Sequence, residues 1–114
     1  MNVNPTLLAL KDITGIPVVP DVYKGKGEKW ITFTYEDERP GQIGDNGVTD
    51  DIAYMQVNLF TPANFNYMEL KEKIKNYLES VGVVTGTRSA CYEDNQKLIR
   101  QTTFTAELTA EREE

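Results

Sequence analysis

A chain of 114 residues, 39% hydrophobic and 26% charged, is sized for one domain and buries about two-thirds of its unfolded surface on folding. Its net charge of −6 disfavours a nucleic-acid surface, and no apolar run nears the ~20 residues of a membrane span. With no histidine and a single cysteine, Cys91, the composition excludes Ser-His and Cys-His catalysis, histidine metal ligation and an internal disulfide. The start, MNVNPTLLAL, has neither a cationic stretch nor a small-residue cleavage site, so no secretory signal is expected.

The first predicted element is a short helix over 5–14. Asn4 is a good N-cap, Pro5 suits the first helical position, and Val3 with Leu8 has the spacing of a hydrophobic staple. Leu7, Leu10 and Ile13 form one apolar stripe, and Gly15 ends the helix. Residues 16–28 contain Pro17 and Pro20, which cannot donate to a ladder, so an extended edge or covering segment is expected, with a Lys/Gly loop at 24–27. Residues 29–35 alternate as a strand, with Ile31, Phe33 and Tyr35 on one face and Trp30, Thr32 and Thr34 on the other.

The stretch 36–51 holds six acids, one Arg, three Gly and one Pro, a local charge of −5. It reads as a long, mobile acidic loop, well beyond the usual connection of about 4–6 residues. A second strand, 52–60, places Ala53, Met55, Val57 and Leu59 toward the core and Tyr54, Gln56, Asn58 and Phe60 away from it. Residues 66–81 are the clearest helix. Asn66 and Glu69 have capping-box spacing, Phe65 and Leu70 flank the cap, and Tyr67, Leu70, Ile74, Tyr77, Leu78 and Val81 make one stripe. Glu69 and Lys73 form the favourable i,i+4 pair, and Gly82 stops the helix. A weaker strand at 84–92, a turn at 93–96 and a strand at 97–108 follow. Leu98, Phe104, Ala106 and Leu108 share a face that Arg100 and Thr102 interrupt. Residues 109–114 read as a frayed acidic tail. The expected fold is one α+β domain: an antiparallel sheet of about four strands with two helices packed on one face.

Chemistry-bearing patterns are few. Asp45, Asp50 and Asp51, with Glu36, Asp37 and Glu38, could hold a divalent cation, but the spacing is not that of a calcium loop and no base or nucleophile accompanies them. A solvated acidic stretch is the preferred reading. Gly25-Lys26-Gly27 lacks the phosphate-loop spacing. Cys91 has Arg88 nearby but also Glu93 and Asp94, so it reads as an inert strand residue. No catalytic, cofactor-binding or metal-binding residue is assigned. Trp30, Tyr54 and Phe60 lie on strand faces opposite the expected core, so either the helices cover that face or it meets another subunit.

Four features taken together, "Y-x-G … W-I-T-F-T-Y-x-D" over Tyr23–Asp37, the acid-rich stretch, "V-N-L-F-T-P" at Val57–Pro62 and the amphipathic helix ending at a glycine, resemble the tail-terminator (tail-completion, head-tail joining, minor capsid) proteins of Firmicutes phages and prophages. The resemblance spans about residues 16–108. It implies a non-enzymatic structural subunit that forms a ring, six-fold in the virion, where the tail tube meets the neck. The implied partners are further copies of the chain, the tail tube protein and a neck or head-completion protein, with no cofactor, no sequence-specific nucleic acid and no membrane. The implied location is the virion, and the host cytoplasm during assembly. The candidate interface is Trp30, Tyr54, Phe60, Asp45, Asp50 and Asp51. Alternatives are a head-completion or neck adaptor and, from other classes, an acidic DNA mimic or a metal-dependent hydrolase using the acidic stretch.

Overall fold

The computed structural model describes residues 4–20, 27–44 and 47–111. The chain is α+β. Helices α1 (Asn4–Leu8) and α2 (Leu10–Thr14) precede strands β1 (Val18–Pro20), β2 (Trp30–Gly44) and β3 (Gly47–Pro62). Helix α3 (Met68–Val81) and strands β4 (Gly82–Asp94) and β5 (Lys97–Glu111) complete it. The sheet has five strands in the order β1-β2-β3-β5-β4.

The expected purely antiparallel sheet of four strands is corrected to a mixed one. The added strand is β1, which runs parallel to β2 with Val18 opposite Ile31 and Pro20 opposite Phe33. It belongs to the segment expected at an edge, and Pro17 and Pro20 hold it to three residues, too short for any alternation to show. The carbonyl of Pro17 accepts the Ile31 N–H at 2.8 Å. The single N-terminal helix is likewise corrected. It breaks at Ala9, whose carbonyl accepts from Asp12, three residues on, at 3.1 Å. Gly15 ends α2 at φ 75°, a left-handed position that favours glycine, as the sequence implied.

The largest correction concerns 36–51. β2 continues to Gly44 and β3 begins at Gly47, paired from Asp37↔Tyr54 to Gly44↔Gly47. The long acidic loop is therefore a hairpin arm, with only residues 45 and 46 outside the described chain. A ladder satisfies backbone groups whatever the side-chain polarity, so acids did not prevent it. Register shifts fall between Tyr35 and Asp37, between Pro40 and Gln42, and between Gln42 and Ile43. Pro40 and Gly41, which read as loop signals, lie at bulges. β5 accompanies the arm, with Asp51 opposite Ala110 and Asp50 opposite Glu111, so residues 109–111 are strand rather than tail. A strand of fifteen residues is about 50 Å long. The molecule is correspondingly elongated, 56 × 24 × 23 Å.

Both helical segments pack on one face of the sheet, as expected. Leu7, Leu10, Ile74 and Leu78 join Ile31, Phe33, Ala53, Met55, Val57, Leu59, Phe104, Ala106 and Leu108 in a single buried cluster. All four inward positions expected on the second strand are buried. Tyr35, expected to share the inward face of β2, is 40% exposed, and Leu98 is 58% exposed, because the sheet outruns the helices at both ends. Asn66 Oδ1 accepts the Met68 N–H at 3.3 Å, which supplies the expected cap although the regular helix starts at Met68. Glu69 and Lys73 form their ion pair at 3.2 Å.

Tyr77 ties the helices together, its hydroxyl donating to the Thr6 carbonyl at 2.6 Å. Burial raises its phenol above the ordinary tyrosine value. The folded chain therefore holds this proton more tightly than the unfolded one. That contribution is fully present below the unfolded value, near pH 10, and is lost as pH rises through the folded value. Tyr77→Phe should cost about 0.5–1.5 kcal/mol at neutral pH and flatten the fall in stability above pH 10, measured by urea unfolding across pH.

Candidate interaction surface

The face of the sheet away from the helices holds the three candidate aromatics. Trp30 and Phe60 are directly opposite each other on β2 and β3 and stack with centroids 4.9 Å apart at 13°. Tyr54 lies on the same face six residues along β3, about 20 Å away. All three are half-buried. The helices do not cover them, so the alternative that this face is core is set aside.

Between these aromatics sits a polar net centred on Asn58. Its Nδ2 donates to Thr32 Oγ1 at 3.4 Å and to Gln56 Oε1 at 3.3 Å. Its Oδ1 accepts from Gln101 Nε2 at 3.0 Å and from Thr103 Oγ1 at 2.9 Å. Register explains the gathering, because Thr32, Asn58 and Thr103 are directly opposite one another across β2, β3 and β5. The face is thus polar, uncharged around Asn58 and hydrogen-bonded within itself.

Asp45 lies outside the described residues. Asp50 and Asp51 lie on the arm, where β3 pairs with both β2 and β5, and the sequence had placed them in a loop. Tyr35 and Glu36, where the arm leaves the core, are exposed.

Arg100, which seemed to interrupt the inward face of β5, sits with its guanidinium carbon 4.4 Å from the centre of the Tyr67 ring. Lys29 Nζ lies 4.2 Å from the centre of the Phe65 ring. The β3–α3 connection is therefore held by cations from both β2's approach and β5. Thr102 is fully buried and hydrogen-bonds the exposed Ser89 at 2.9 Å, so its hydroxyl is satisfied at the margin of the core. Cys91 is on a strand, as read, but exposed rather than buried. β4 is an outer strand that runs past the helical cover.

A groove of about 690 Å³ opens at the end of the sheet, lined by Glu28, Trp30, Pro62, Asp94, Lys97 and Leu98 among others. Its walls bring no nucleophile beside a base. Among the described residues no three Cys, Asp or Glu gather to hold a metal ion, and no helix is long and apolar enough to cross a membrane. The chain matches no protein-family model and no curated protein.

Proposed function

We propose that this chain is a non-enzymatic structural subunit of a phage or prophage particle. It forms a ring at the head-proximal end of the tail and joins the tail to the neck. The arm formed by β2 and β3 carries this reading. The described core ends at Ala53 and Leu108, yet the paired hairpin runs on through six more residues of β2, from Arg39 to Gly44. An acidic hairpin of that length offers its own subunit little to bury and gives a neighbour much to hold. The resemblance of residues 16–108 to tail-terminator proteins supplies the class. The partners are further copies, six to a ring, with the tail tube protein on one side and a neck or head-completion protein on the other. The protein then resides in the virion, and in the host cytoplasm before assembly. The dilute subunit is a monomer or weak oligomer.

The test neutralises Asp45, Asp50 and Asp51 together to Asn. Exposed ion pairs are worth about 0–1 kcal/mol each, so three lost at roughly half that each weaken attachment about tenfold. The melting temperature of the isolated subunit should be unchanged, while its attachment to purified tail tubes, read by electron microscopy and co-sedimentation, falls about tenfold. Raised salt should weaken wild-type attachment in the same way. Attachment that survives the triple substitution unchanged would make the arm a passive connector.

A further inference from the structure

The two flanks of the sheet are protected very differently. β1 is a blunted edge of three residues, flanked and closed by Pro17 and Pro20. β4 is thirteen residues long, contains no proline, and from Gly82 to Tyr92 carries one charge, Arg88. Its irregularity lies near its start, between Val84 and Gly86, and the strand is exposed from Thr87 to Asp94. Among the described residues no strand pairs with its outer side. On the opposite flank, β1 ends opposite Phe33, so β2 from Glu36 to Gly44 has β3 on one side and, among the described residues, no strand on the other.

Building on the ring reading, we infer that β4 of one subunit adds antiparallel to the outer edge of the β2 arm of the next copy. The sheet then continues from subunit to subunit. Direction agrees: β2, β3, β5 and β4 alternate, so β4 runs opposite to β2. The edges lie on opposite flanks, which makes the contact head-to-tail, the kind that closes into a ring or runs on as a fibre. Charge favours this pairing over self-pairing of either edge. A two-fold β4–β4 contact overlapping all thirteen residues sets Arg88 opposite Arg88. An arm–arm contact centred on Pro40, which donates nothing, sets Glu36, Asp37 and Glu38 opposite Gly44, Ile43 and Gln42 and so gives the acids no cation. With Arg88 opposite Glu38 of the arm, β4 pairs from Gly82 opposite Gly44 to Tyr92 opposite Thr34, and it leaves the edge before Phe33, where β1 ends.

This register brings exposed Cys91 opposite Tyr35 at the base of the neighbouring arm, next to Glu36 and Asp37. The chain's single cysteine is thus a built-in probe. Tyr35→Cys, Glu36→Cys and Asp37→Cys are each oxidised with copper phenanthroline, in concentrated subunit and in purified particles. The expected result, from at least one of them, is a disulfide ladder of dimers, trimers and higher species on non-reducing gels. The ladder should vanish when Cys91→Ser is added and should be absent from Gln42→Cys, which lies about 20 Å up the arm. Wild-type dimers through Cys91 alone would replace the proposed contact with a β4–β4 pairing centred on Cys91 instead of Arg88. No ladder from any of the three, in particles whose tails are still capped, would overturn the edge pairing and leave the ring reading standing. A ladder from protein that neither closes into rings nor caps tail tubes would keep the pairing and overturn the tail-end reading.

Discussion

Leu78→Ala is expected to destabilise the fold by about 2–5 kcal/mol, the range for deleting a fully buried leucine side chain. Leu78 is completely buried and lies one helical turn beyond Ile74 in the same cluster as Met55, Val57, Leu59 and Phe104. The cost depends on whether the site can collapse. Here the opposing wall is the sheet, which α3 approaches at β4 and β5, and β5 is held in register by β3 on one side and β4 on the other, so it cannot move in to fill the space. The upper half of the range is therefore expected. Urea unfolding monitored by circular dichroism measures it, with Glu79→Ala on the exposed face of α3 as the control. That control should change stability by no more than about 0.5 kcal/mol. A Leu78→Ala effect as small as the control would mean that α3 does not anchor the sheet.

What could be read in the sequence tracks where burial imposes a period. β3 from Ala53 to Leu59, β5 from Phe104 to Leu108 and the α3 stripe were legible because each presents one apolar face to one core. Beyond Glu38 and Ala53 that constraint fades. The ladder there needs only backbone groups, so acids, glycines and Pro40 imitate a loop while forming an arm. β1 escaped as a strand because three residues cannot show alternation, and its parallel direction depends on where the helices leave the chain. Trp30, Tyr54 and Phe60 were legible as lying opposite the core face, but whether the helices covered them was a tertiary matter. The Asn58 net was hidden altogether, because Thr32 and Thr103 meet Asn58 only through strand register. Arg100 looked like a fault in an apolar face. The available signal was the pair of aromatics, Phe65 and Tyr67, beside the helix cap, which give such a cation a place to lie.

Gly82→Ala is expected to be as damaging as a core truncation, for a reason the helix-stop reading of this glycine does not contain. Its φ is −176° and its ψ −149°, an extended backbone open to any residue, so left-handed freedom is not what the position requires. What it requires is room. Gly82 ends α3 and opens β4 with no intervening loop, and it lies directly opposite Leu108 on β5. A Cβ there would run into the Glu107 carbonyl oxygen and come within 2.6 Å of Leu108 Cδ2. The leucine can rotate; the carbonyl belongs to the backbone and cannot. The methyl group must therefore push β4 off β5 at the point where the helix is anchored, and overpacking of this kind costs about 1–3 kcal/mol, more where backbone must shift. Gly86→Ala is the matched comparison on the same strand. Its added Cβ meets the Thr105 hydroxyl at 3.0 Å, a side-chain atom that can give way at the cost of its exposed hydrogen bond to Thr85. Thermal and urea unfolding of the two variants should show Gly82→Ala as the more destabilised by at least ~1 kcal/mol. Amide exchange should quicken at 82–84 and 106–108 in Gly82→Ala alone. Equal stability of the two would mean that β4 leaves α3 by a looser path than this direct junction.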